Sequence, residues 1–372
     1  MKILYDHQIF TLQNYGGISR YFFELMKHFY DDEEVEFEFP IYFSHNKYLQ
    51  GIHFSNHTTF FPRIKLGLKR KIIEQLKIKN RKRSESAIAN QDFDIFHPTY
   101  YDPYFLDFLK KKPFVLTIHD MIPEIYAGKY PHDKNIIENK QFLIDKAGAI
   151  ISVSENTKKD ILRFYNIDES KIRVIYHSHS FRASAINKLN TKITNLSERY
   201  ILFVGNRGIY KNFFSFIKSI SSLLKKDESL SLICAGGDKF NKVEVKLLKS
   251  MGIEKKVIHF TVNDSILIKL YKSALAFVFP SLYEGFGIPI LEAFACGCPV
   301  VSSHTSSLPE VAGEAAVYFD PLKPDSISGA IEKVIYDKDF RVQLKEKGFE
   351  RLKNFSWKKT AQETKAVYLE LV

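Results

Sequence analysis

The chain has 372 residues, of which 45% are hydrophobic and 26% are charged, and its formal net charge is +11. This length suits two domains of ordinary size, and no stretch approaches the roughly 18 consecutive apolar residues of a membrane-spanning helix. The start does not resemble a signal peptide, because Asp6 and His7 interrupt its apolar run. Three cysteines are too few for a disulfide framework, so the composition predicts a cytoplasmic protein with reduced thiols.

Short apolar runs alternate with helical patterns in the first half of the chain. The predicted helices are Ile18–Phe29 and Glu155–Phe164, and the predicted strands are Met1–Tyr5, Val35–Phe43, Ile95–His97, Phe114–His119, Ala149–Val153 and Arg173–Tyr176. Pro40 is expected to interrupt the second strand. This alternation is typical of a parallel, doubly wound sheet, and we assign it to an N-terminal domain over residues 1–180.

A polar stretch without apolar periodicity, residues 181–199, is interpreted as a linker. A second strand–helix series occupies residues 200–355, and a final helix over 356–372 is expected to pack back on the N-terminal domain. The sequence therefore predicts an α/β protein with two Rossmann-like, doubly wound domains facing a central cleft. In open parallel sheets, ligands bind beyond the carboxyl ends of strands, so the loops that follow strands contain the candidate site residues.

Much of the excess positive charge lies in residues 63–83, a segment that is rich in lysine and arginine and contains the single acid Glu74. Its apolar residues recur at helical spacing, which predicts a basic amphipathic helix. Such helices commonly dock on anionic lipid, so a membrane surface is the favoured partner of this segment. A solvated face is the alternative. Nucleic acid is not expected as a partner, because no signature of a nucleic-acid-binding module is present.

Two glutamates eight positions apart flank a glycine-rich turn in the run SLYEGFGIPILE, residues 281–292. The predicted strand Ala274–Pro280 precedes this turn, and a helix with Pro289 at its first position follows it. Free N–H groups at such a helix start favour an anion such as a diphosphate. Glu292, expected in the first helical turn, can accept hydrogen bonds from a vicinal diol, and Glu284 lies at the mouth of the loop. The alternative is an ordinary strand–helix turn.

Three further groups of polar or glycine residues follow predicted strands. Gly16 and Gly17 permit close approach of a phosphate or sugar, although they lack the spacing of a dinucleotide fingerprint. His119 ends a strand and can hydrogen-bond a sugar hydroxyl. Arg207 and Lys211 can neutralise a leaving diphosphate. The alternative for the glycine pair is a plain turn. For His119 it is a structural histidine, and for Arg207 and Lys211 it is a solvated basic turn.

The sequence contains no convincing metal site. Asp92 and Asp94 form a D-x-D pair, but they precede their strand and therefore lie at the wrong edge of the sheet. Cys296 and Cys298 have no second ligand pair at zinc-like spacing. Three histidines stay without an assigned role: His97, His177 and His179.

Several blocks together resemble the family 4 glycosyltransferases of the GT-B architecture, and among them bacterial polysaccharide mannosyl- and hexosyltransferases. They are YGGISRYFFEL near the start, TIHDMIPE at 117–124, IISVSENTKKDI at 150–161, VGNRGIYKNF at 204–213 and FVFPSLYEGFGIPILEAFACGCPVVSS at 277–303. The resemblance implies a hexosyltransferase that uses a nucleotide-sugar donor and retains the anomeric configuration. It implies no essential metal and no other cofactor.

The resemblance also implies roles for individual residues. Glu284 lies near the donor hexose, and Glu292 holds the ribose hydroxyls. Arg207 and Lys211 grip the diphosphate, while His119 lies close to the transferred sugar. The expected catalytic residues are therefore His119, Arg207, Lys211 and Glu284. Further donor contacts are implied for the glycine loop and for the amides that follow Glu284: Gly16, Gly17, Phe286, Gly287 and Ile288.

Two positions depart from the family pattern. Tyr210 precedes Lys211 where many members have an arginine, and the arginine of this chain lies at 207 instead. Arg207 is therefore expected to approach the phosphates from a different angle or not to reach them. The run Tyr176–Ser180 replaces a glycine turn found in many members, which affects the hinge before the linker.

We therefore expect a cytoplasmic glycosyltransferase, peripheral on the inner face of the membrane, that takes part in surface polysaccharide synthesis. The expected donor is a GDP- or UDP-sugar, with GDP-mannose favoured, and the expected acceptor is a glycan or a lipid-linked molecule. Two alternatives belong to other functional classes. One is a nucleotide-sugar epimerase or isomerase on the same fold, and the other is a non-catalytic GT-B partner subunit.

Overall fold

The computed structural model describes residues 1–50, 66–129, 133–181 and 196–372. These residues group into two compact units. Unit 1 comprises Met1–His177 together with Trp357–Val372, and unit 2 comprises Ser178–Ser356. The described part of the predicted linker therefore belongs to unit 2.

Unit 1 is a parallel α/β fold. Its strands are β1 (Lys2–Tyr5), β2 (Glu36–Glu38), β3 (Ile95–His97), β4 (Val115–Ile118), β5 (Ala149–Ser152) and β6 (Ile172–Val174). The helices among them are α1 (Gln8–Leu12), α2 (Gly17–Tyr30), α3 (Leu66–Asn90), α4 (Leu106–Leu109), α5 (Ile122–Ile125), α6 (Asp133–Lys146) and α7 (Glu155–Phe164). The strand order β2-β1-β3 continues, through a parallel bridge between Phe96 and Phe114, into β4-β5-β6.

Unit 2 is a second parallel α/β fold with one six-stranded sheet. Its strands are β7 (Arg199–Val204), β8 (Leu230–Ala235), β9 (Val257–Phe260), β10 (Ala276–Phe279), β11 (Val300–Ser303) and β12 (Ala316–Phe319), in the order β12-β11-β10-β7-β8-β9. Its helices are α8 (Phe213–Lys226), α9 (Lys242–Ser250), α10 (Asp264–Ser273), α11 (Ile288–Ala295), α12 (Leu308–Ala312), α13 (Pro324–Tyr336) and α14 (Lys338–Leu352). The central strands β7 and β10 are buried and almost entirely apolar, because helices cover both faces of such a sheet.

The last helix, α15 (Trp357–Leu369), belongs to unit 1 and packs on α2. Buried Tyr368 anchors it, because the Tyr368 hydroxyl lies 2.6 Å from Nδ1 of His97 and 3.2 Å from the hydroxyl of Tyr5. The other ring nitrogen of His97 lies 2.9 Å from Oγ1 of Thr117. Since buried polar groups require partners, this chain of hydrogen bonds joins the end of the polypeptide to β1, β3 and β4.

Parallel sheets in both units confirm the predicted α/β fold class. Two local expectations differ from the structure in their bounds. The predicted strand Val35–Phe43 is a regular strand only over Glu36–Glu38, and the expected interruption at Pro40 is confirmed, since proline has no N–H to donate to a neighbour. Helix α11 begins at Ile288, so Pro289 occupies its second position instead of its first.

The basic segment forms part of α3 from Leu66 onwards, whereas residues 63–65 lie outside the described residues. Within the described parts of the chain, no helix is both long enough and apolar enough to span a membrane.

Candidate active site

The sheet of unit 2 has a switch point between β7 and β10. From β7 the chain continues to β8 and β9 on one side, and from β10 it continues to β11 and β12 on the other. The loops that follow these two strands diverge there, and open α/β sheets bind ligands beyond the strand ends at such a point. One hydrogen bond connects the two loops, because the backbone N–H of Leu282 donates to the carbonyl of Tyr210 at 2.7 Å.

Lys211 and Glu284 meet at this switch point. Nζ of Lys211 lies 2.6 Å from Oε1 of Glu284, and the two side chains are only 10% and 13% exposed. The ammonium also lies 5.0 Å from the centre of the Phe279 ring, within cation–π distance. Because α8 starts two residues after Lys211 and Glu284 follows β10, the strand order alone brings together two residues that are 73 positions apart.

The loop that carries Glu284 is held from the next strand–helix connection. The hydroxyl of Ser306 donates to the carbonyl of Glu284 at 2.5 Å, and the N–H of Glu284 donates to the same hydroxyl at 3.0 Å. Oγ of Ser307 lies 2.7 Å from the carbonyl of Phe286. Gly287 caps α11 at a φ of +119°, a left-handed conformation that favours glycine. The first amides of α11 are thus fixed beside the Lys211–Glu284 pair.

Glu292 is the fifth residue of α11, so its expected place in the first helical turn is wrong. Side chains on a helix lean toward its N-terminus, which directs this carboxylate back along α11. Glu292 is buried, and its Oε2 accepts a hydrogen bond from the hydroxyl of Tyr271 in α10 at 3.3 Å. Burial, and then the charge of Glu292, hold the pKa of Tyr271 well above its usual range, so this hydroxyl stays a donor.

Arg207 occupies a more enclosed position than Lys211. Its Nε lies 2.7 Å from Oε1 of Glu244 at the start of α9, and both side chains are buried. The guanidinium also donates to the carbonyl of Asp238 and stacks 4.9 Å from the ring centre of Phe240. Nη1 is buried without a hydrogen-bond partner among the described residues. The structure thus gives Arg207 a structural partner, while its grip on a diphosphate stays a prediction.

His119 follows β4 in unit 1 and is buried, with no hydrogen-bond partner for Nε2 among the described residues. Its ring packs 5.2 Å from the ring of Tyr21 and 6.1 Å from that of His177. Burial is the main cause that holds the pKa of His119 well below its usual range, and His177 adds to it. The imidazole is therefore neutral near pH 7 and can donate or accept a hydrogen bond.

A buried network supports the turn that carries His119. Nζ of Lys140 in α6 donates to the backbone carbonyl of Asp120 at 2.8 Å and lies 3.1 Å from Oε2 of Glu124. Lys140 and Glu124 are 1% and 2% exposed. The hydroxyl of Tyr101 accepts a hydrogen bond from the N–H of His119 at 3.1 Å. Our sequence reasoning missed Lys140, because a lysine inside a helical pattern is ordinarily interpreted as a solvated residue.

The glycine pair lies at the start of α2, where Gly17 is the first helical residue. A Cβ on Gly16 would overlap the side chain of Gln13, whose Oε1 accepts a hydrogen bond from the N–H of Ser19 at 3.3 Å. Glycine at 16 is therefore required by local packing. A contact between this loop and the donor stays a prediction.

The remaining polar candidates have structural partners. Asp92 pairs with Lys2 at 2.7 Å on the surface before β3. His177 stacks on Trp357, and Nδ1 of His179 accepts a hydrogen bond from the N–H of Phe181 at 3.2 Å. Within the described ranges, no three His, Cys, Asp or Glu side chains cluster as they would to hold a metal ion. Burial raises the pKa of each cysteine thiol, those of Cys234, Cys296 and Cys298.

Two parallel α/β units, the second with a lysine–glutamate pair at the switch point of its sheet, are the architecture of the GT-B class of sugar-transferring enzymes. A model of Glycosyltransferase Family 4 matches residues 15–178, and a model of Glycosyl transferases group 1 matches residues 187–351. An uncharacterized glycosyltransferase of Methanocaldococcus jannaschii is 30% identical over 74% of this chain and 75% of its own length. The chain therefore belongs to glycosyltransferase family 4 and is a glycosyltransferase.

Two further comparisons agree with this assignment. The O-antigen chain mannosyltransferase B of Escherichia coli is 29% identical, and the match covers 80% of each protein. The solved structure of Anabaena HepE in complex with UDP and glucose has a TM-score of 0.74 at 16% identity and covers 100% of both chains. The latter similarity extends the fold assignment to the whole chain.

Proposed function

We propose that this protein transfers a hexose from a nucleoside diphosphate sugar to a glycan or lipid-linked acceptor in surface polysaccharide synthesis, with retention of anomeric configuration. The observation that carries the proposal is the Lys211–Glu284 pair at the switch point of unit 2, beside the start of α11. A nearly buried cation next to the positive end of a helix dipole suits a diphosphate. The carboxylate beside it suits the hydroxyls of the attached sugar.

The donor is held mainly by unit 2 in this proposal. Lys211 and the amides of Phe286–Ile288 bind the diphosphate, and the guanidinium of Arg207 adds positive charge near it. Glu284 orients the hexose, and Glu292, held by Tyr271, binds the ribose diol. The diphosphate competes with Glu284 for Lys211, so donor binding loosens this ion pair and frees the carboxylate for the sugar.

Catalysis is chiefly electrostatic in this scheme. The bond between C1 of the sugar and the diphosphate oxygen breaks, and its electron pair stays on the phosphate. The acceptor oxygen bonds to C1 on the same face, and its proton passes to the departing phosphate. Lys211 and the helix start stabilise the charge that develops on the phosphate. The neutral imidazole of His119 is proposed to hydrogen-bond the transferred sugar. No metal ion is needed in this scheme.

A mannosyl donor is the favoured choice. The O-antigen chain mannosyltransferase B of Escherichia coli, a member of the kind of enzyme that this donor would serve, is 29% identical to this chain over 80% of its length. We therefore propose GDP-mannose as the first donor to test.

A thermal-shift screen with UDP, GDP and ADP and their sugars tests the donor assignment. We expect stabilisation by GDP and GDP-mannose, since a ligand that binds only the folded state raises the melting temperature. No shift with any of these compounds would contradict the donor site. Incubation with the stabilising nucleotide sugar in the absence of an acceptor then tests the epimerase alternative, because a changed sugar would favour that class.

Cytoplasmic location with peripheral attachment to the inner membrane face, through residues 63–83, is also part of the proposal. The exposed side chains of α3 between Lys71 and Arg83 include several lysines and arginines but also the acid Glu74. Asn80 fixes this helix to unit 1, because its Oδ1 accepts hydrogen bonds from the N–H groups of Tyr42 and Phe43, both at 2.9 Å. The basic face therefore has a fixed orientation on unit 1.

A further inference from the structure

Hydroxyl side chains from one short segment bind the backbone of the loop that carries Glu284. The segment covers the end of β11 and the connection to α12, and we call its hydroxyl residues the hydroxyl clasp: Ser303, Thr305, Ser306 and Ser307. The hydroxyls of Ser303 and Thr305 donate to the carbonyl of Ser281 at 2.5 and 3.1 Å. The other two serines bind further along the same loop, at Glu284 and Phe286.

Ser307 occupies a position at which a serine usually has a different task. It directly precedes α12, where a serine hydroxyl ordinarily accepts a hydrogen bond from an N–H group of its own helix. The side chain of Ser307 makes no such bond. Its buried Oγ lies instead 2.8 Å from the carbonyl oxygen of Glu284 and 2.7 Å from that of Phe286. This hydroxyl therefore serves the glutamate loop and not the start of α12.

Ser306 has a backbone conformation that is unfavourable for serine. Its φ is +58°, in the left-handed region where a Cβ crowds the following carbonyl oxygen. In this conformation its hydroxyl donates to the carbonyl of Glu284 and accepts from the N–H of the same residue. A glycine would adopt this backbone without strain but has no hydroxyl. Residues held against their local preference are concentrated at functional sites, and here the hydroxyl is what the serine adds.

The clasp fixes the direction of the peptide groups in the glutamate loop. In a planar trans peptide, the carbonyl of one residue and the N–H of the next point in opposite directions. The carbonyl of Ser281 points to the clasp, and the N–H of Leu282 accordingly points away from it, to the loop that follows β7. The bond between Ser307 and the carbonyl of Phe286 directs the N–H of Gly287, at the start of α11, away from the clasp in the same manner.

We propose that Ser306 and Ser307 are positioning residues of the donor site. Ser306 holds the backbone of Glu284 so that the carboxylate meets the hexose. Ser307 holds the peptide group that presents the N–H of Gly287 to the diphosphate. Both serines act through the loop and do not touch the donor. This inference rests on the proposed function, because it assigns the clasp to the binding of a nucleotide sugar.

Hydrogen exchange tests whether the clasp orders the loop. Ser306→Gly permits the left-handed backbone and removes one hydroxyl, while Ser307→Ala removes the other. Ser302→Ala is the matched control for Ser307, since Ser302 is also a buried serine but donates to the carbonyl of its own neighbour. Exchange measured by mass spectrometry should be faster over residues 281–288 in both clasp variants than in the wild type, and unchanged there in the control.

Calorimetry with GDP and GDP-mannose, or with the pair that the thermal-shift screen identifies, then tests the two roles separately. Ser306→Gly should bind GDP as the wild type does but should bind GDP-mannose roughly threefold to tenfold more weakly, because Glu284 contacts only the sugar. Ser307→Ala should bind both ligands more weakly by about the same factor, since Gly287 serves the diphosphate. Loss of a merely structural contact would lower the melting temperature of Ser306→Gly without distinguishing the two ligands.

Wild-type affinities in a clasp variant would overturn the role of that serine, whatever its melting temperature. Equal losses for GDP and GDP-mannose in Ser306→Gly, or losses of the same size in Ser302→Ala, would also contradict the inference. Failure of the proposed function gives a different result. In that case the wild type itself would bind none of the nucleotides and nucleotide sugars of the screen.

Discussion

Lys211 and Glu284 form an ion pair between the loops that follow β7 and β10. Both side chains are nearly buried, and each neutralises the charge of the other, which would be costly to bury alone. A ligand phosphate can take over Lys211 because its oxygens offer the same charge-assisted hydrogen bonds as the carboxylate. Arg207 differs, since Glu244 and an aromatic ring hold it in place, and its Nη1 is buried with no hydrogen-bond partner among the residues that the structure describes.

Removal of the Lys211 ammonium should slow the chemical step. We expect Lys211→Ala to lower kcat at saturating donor by about 100-fold or more, the usual effect of deleting one group that stabilises developing charge. Lys218→Ala, which removes an exposed lysine of α8, is the control and should leave kcat unchanged. An unchanged kcat in Lys211→Ala would exclude the proposed role. Circular dichroism of both variants checks that Glu284, left without its partner, has not unfolded unit 2.

Loss of the Glu292 carboxylate should affect donor binding more than turnover. Calorimetry with the preferred nucleoside diphosphate and its 2′-deoxy analogue measures this contribution. The wild type should bind the deoxy analogue roughly ten- to a hundredfold more weakly, because a hydrogen bond to a charged group is lost. Glu292→Ala should bind both nucleotides equally weakly. If Glu292→Ala still discriminates between them, the ribose assignment is wrong. Tyr271→Phe, which keeps the carboxylate but removes its donor, should give an intermediate result.

Helix α6 shows how an element remote in sequence can position a site residue. The ammonium of Lys140 donates to the carbonyl of Asp120, just after β4, while Glu124 neutralises the buried charge of this ammonium. The hydroxyl of Tyr165 donates to the same carboxylate at 2.5 Å. A buried ion pair is weak evidence for stability but can specify a single conformation. Here that conformation is the turn His119–Asp120.

Lys140→Met leaves Glu124 buried and uncompensated, which should destabilise the protein by about 3–5 kcal/mol. The double variant Lys140→Met/Glu124→Gln removes both charges, keeps an acceptor for Tyr165, and should recover most of that stability. If Lys140 positions His119, the double variant should still show a roughly tenfold lower kcat with unchanged donor affinity. The expected loss is smaller than that of a fully misplaced catalytic group, because His119 itself is retained. A wild-type kcat in a stable double variant would show that the network of Lys140 and Glu124 has only a structural role.

Most elements of this fold could be predicted from local patterns. β3 and α7 begin and end where expected, because each has a complete apolar pattern and flanking polar residues. Strand β2 is shorter than its apolar pattern predicts, since apolar residues continue past Pro40 although the regular strand ends at Glu38. Glu292 is the fifth helical residue instead of the expected fourth, because the pattern predicts a helix more reliably than its first residue. Nothing local distinguishes Lys140 from the many solvated lysines of this basic chain.

Unit 1 concentrates the groups that make the whole molecule sensitive to acid. Burial lowers the pKa of His97 and of His177 to about 3, and that of His119 well below its usual range. The unfolded chain binds these protons near pH 6.5, so stability is highest above that pH. It is lost as the pH falls from 6.5 toward 3. Between pH 7 and pH 5 each such histidine should cost about 2 kcal/mol.

Urea titrations followed by tryptophan fluorescence measure this loss in unit 1 alone, because Trp357 is the only tryptophan of the chain and stacks on His177. His97→Gln can retain hydrogen bonds to Tyr368 and Thr117 but cannot titrate. Its stability should therefore fall by about 2 kcal/mol less than that of the wild type over the same pH range. Parallel pH curves for the two proteins would contradict the burial of an uncharged His97.

Membrane attachment concerns the whole molecule as well. Vesicles with anionic lipid should sediment the protein, and the bound fraction should fall as salt is raised from 0.05 to about 0.3 M because the attraction is screened. Replacement of Lys71, Lys82 and Arg83 by Gln should weaken partitioning by about 3 kcal/mol, at roughly 1 kcal/mol per charge. Neutral vesicles are the control. Partitioning that does not depend on salt, or that is unchanged by the triple replacement, would exclude the basic face of α3 as the membrane contact.

The sequence by itself determined the class of this protein. Strand, turn and helix signals act over about ten residues, so two α/β units and the loops that carry Lys211, Glu284 and Glu292 could be predicted without a structure. Only the tertiary structure decided which side chains meet. Lys211 with Glu284, Arg207 with Glu244, and Lys140 with Asp120 and Glu124 are separated by 73, 37, 20 and 16 positions. Such pairs depend on strand order and on the packing of helices over the sheets, because partners that distant in the chain leave no local pattern.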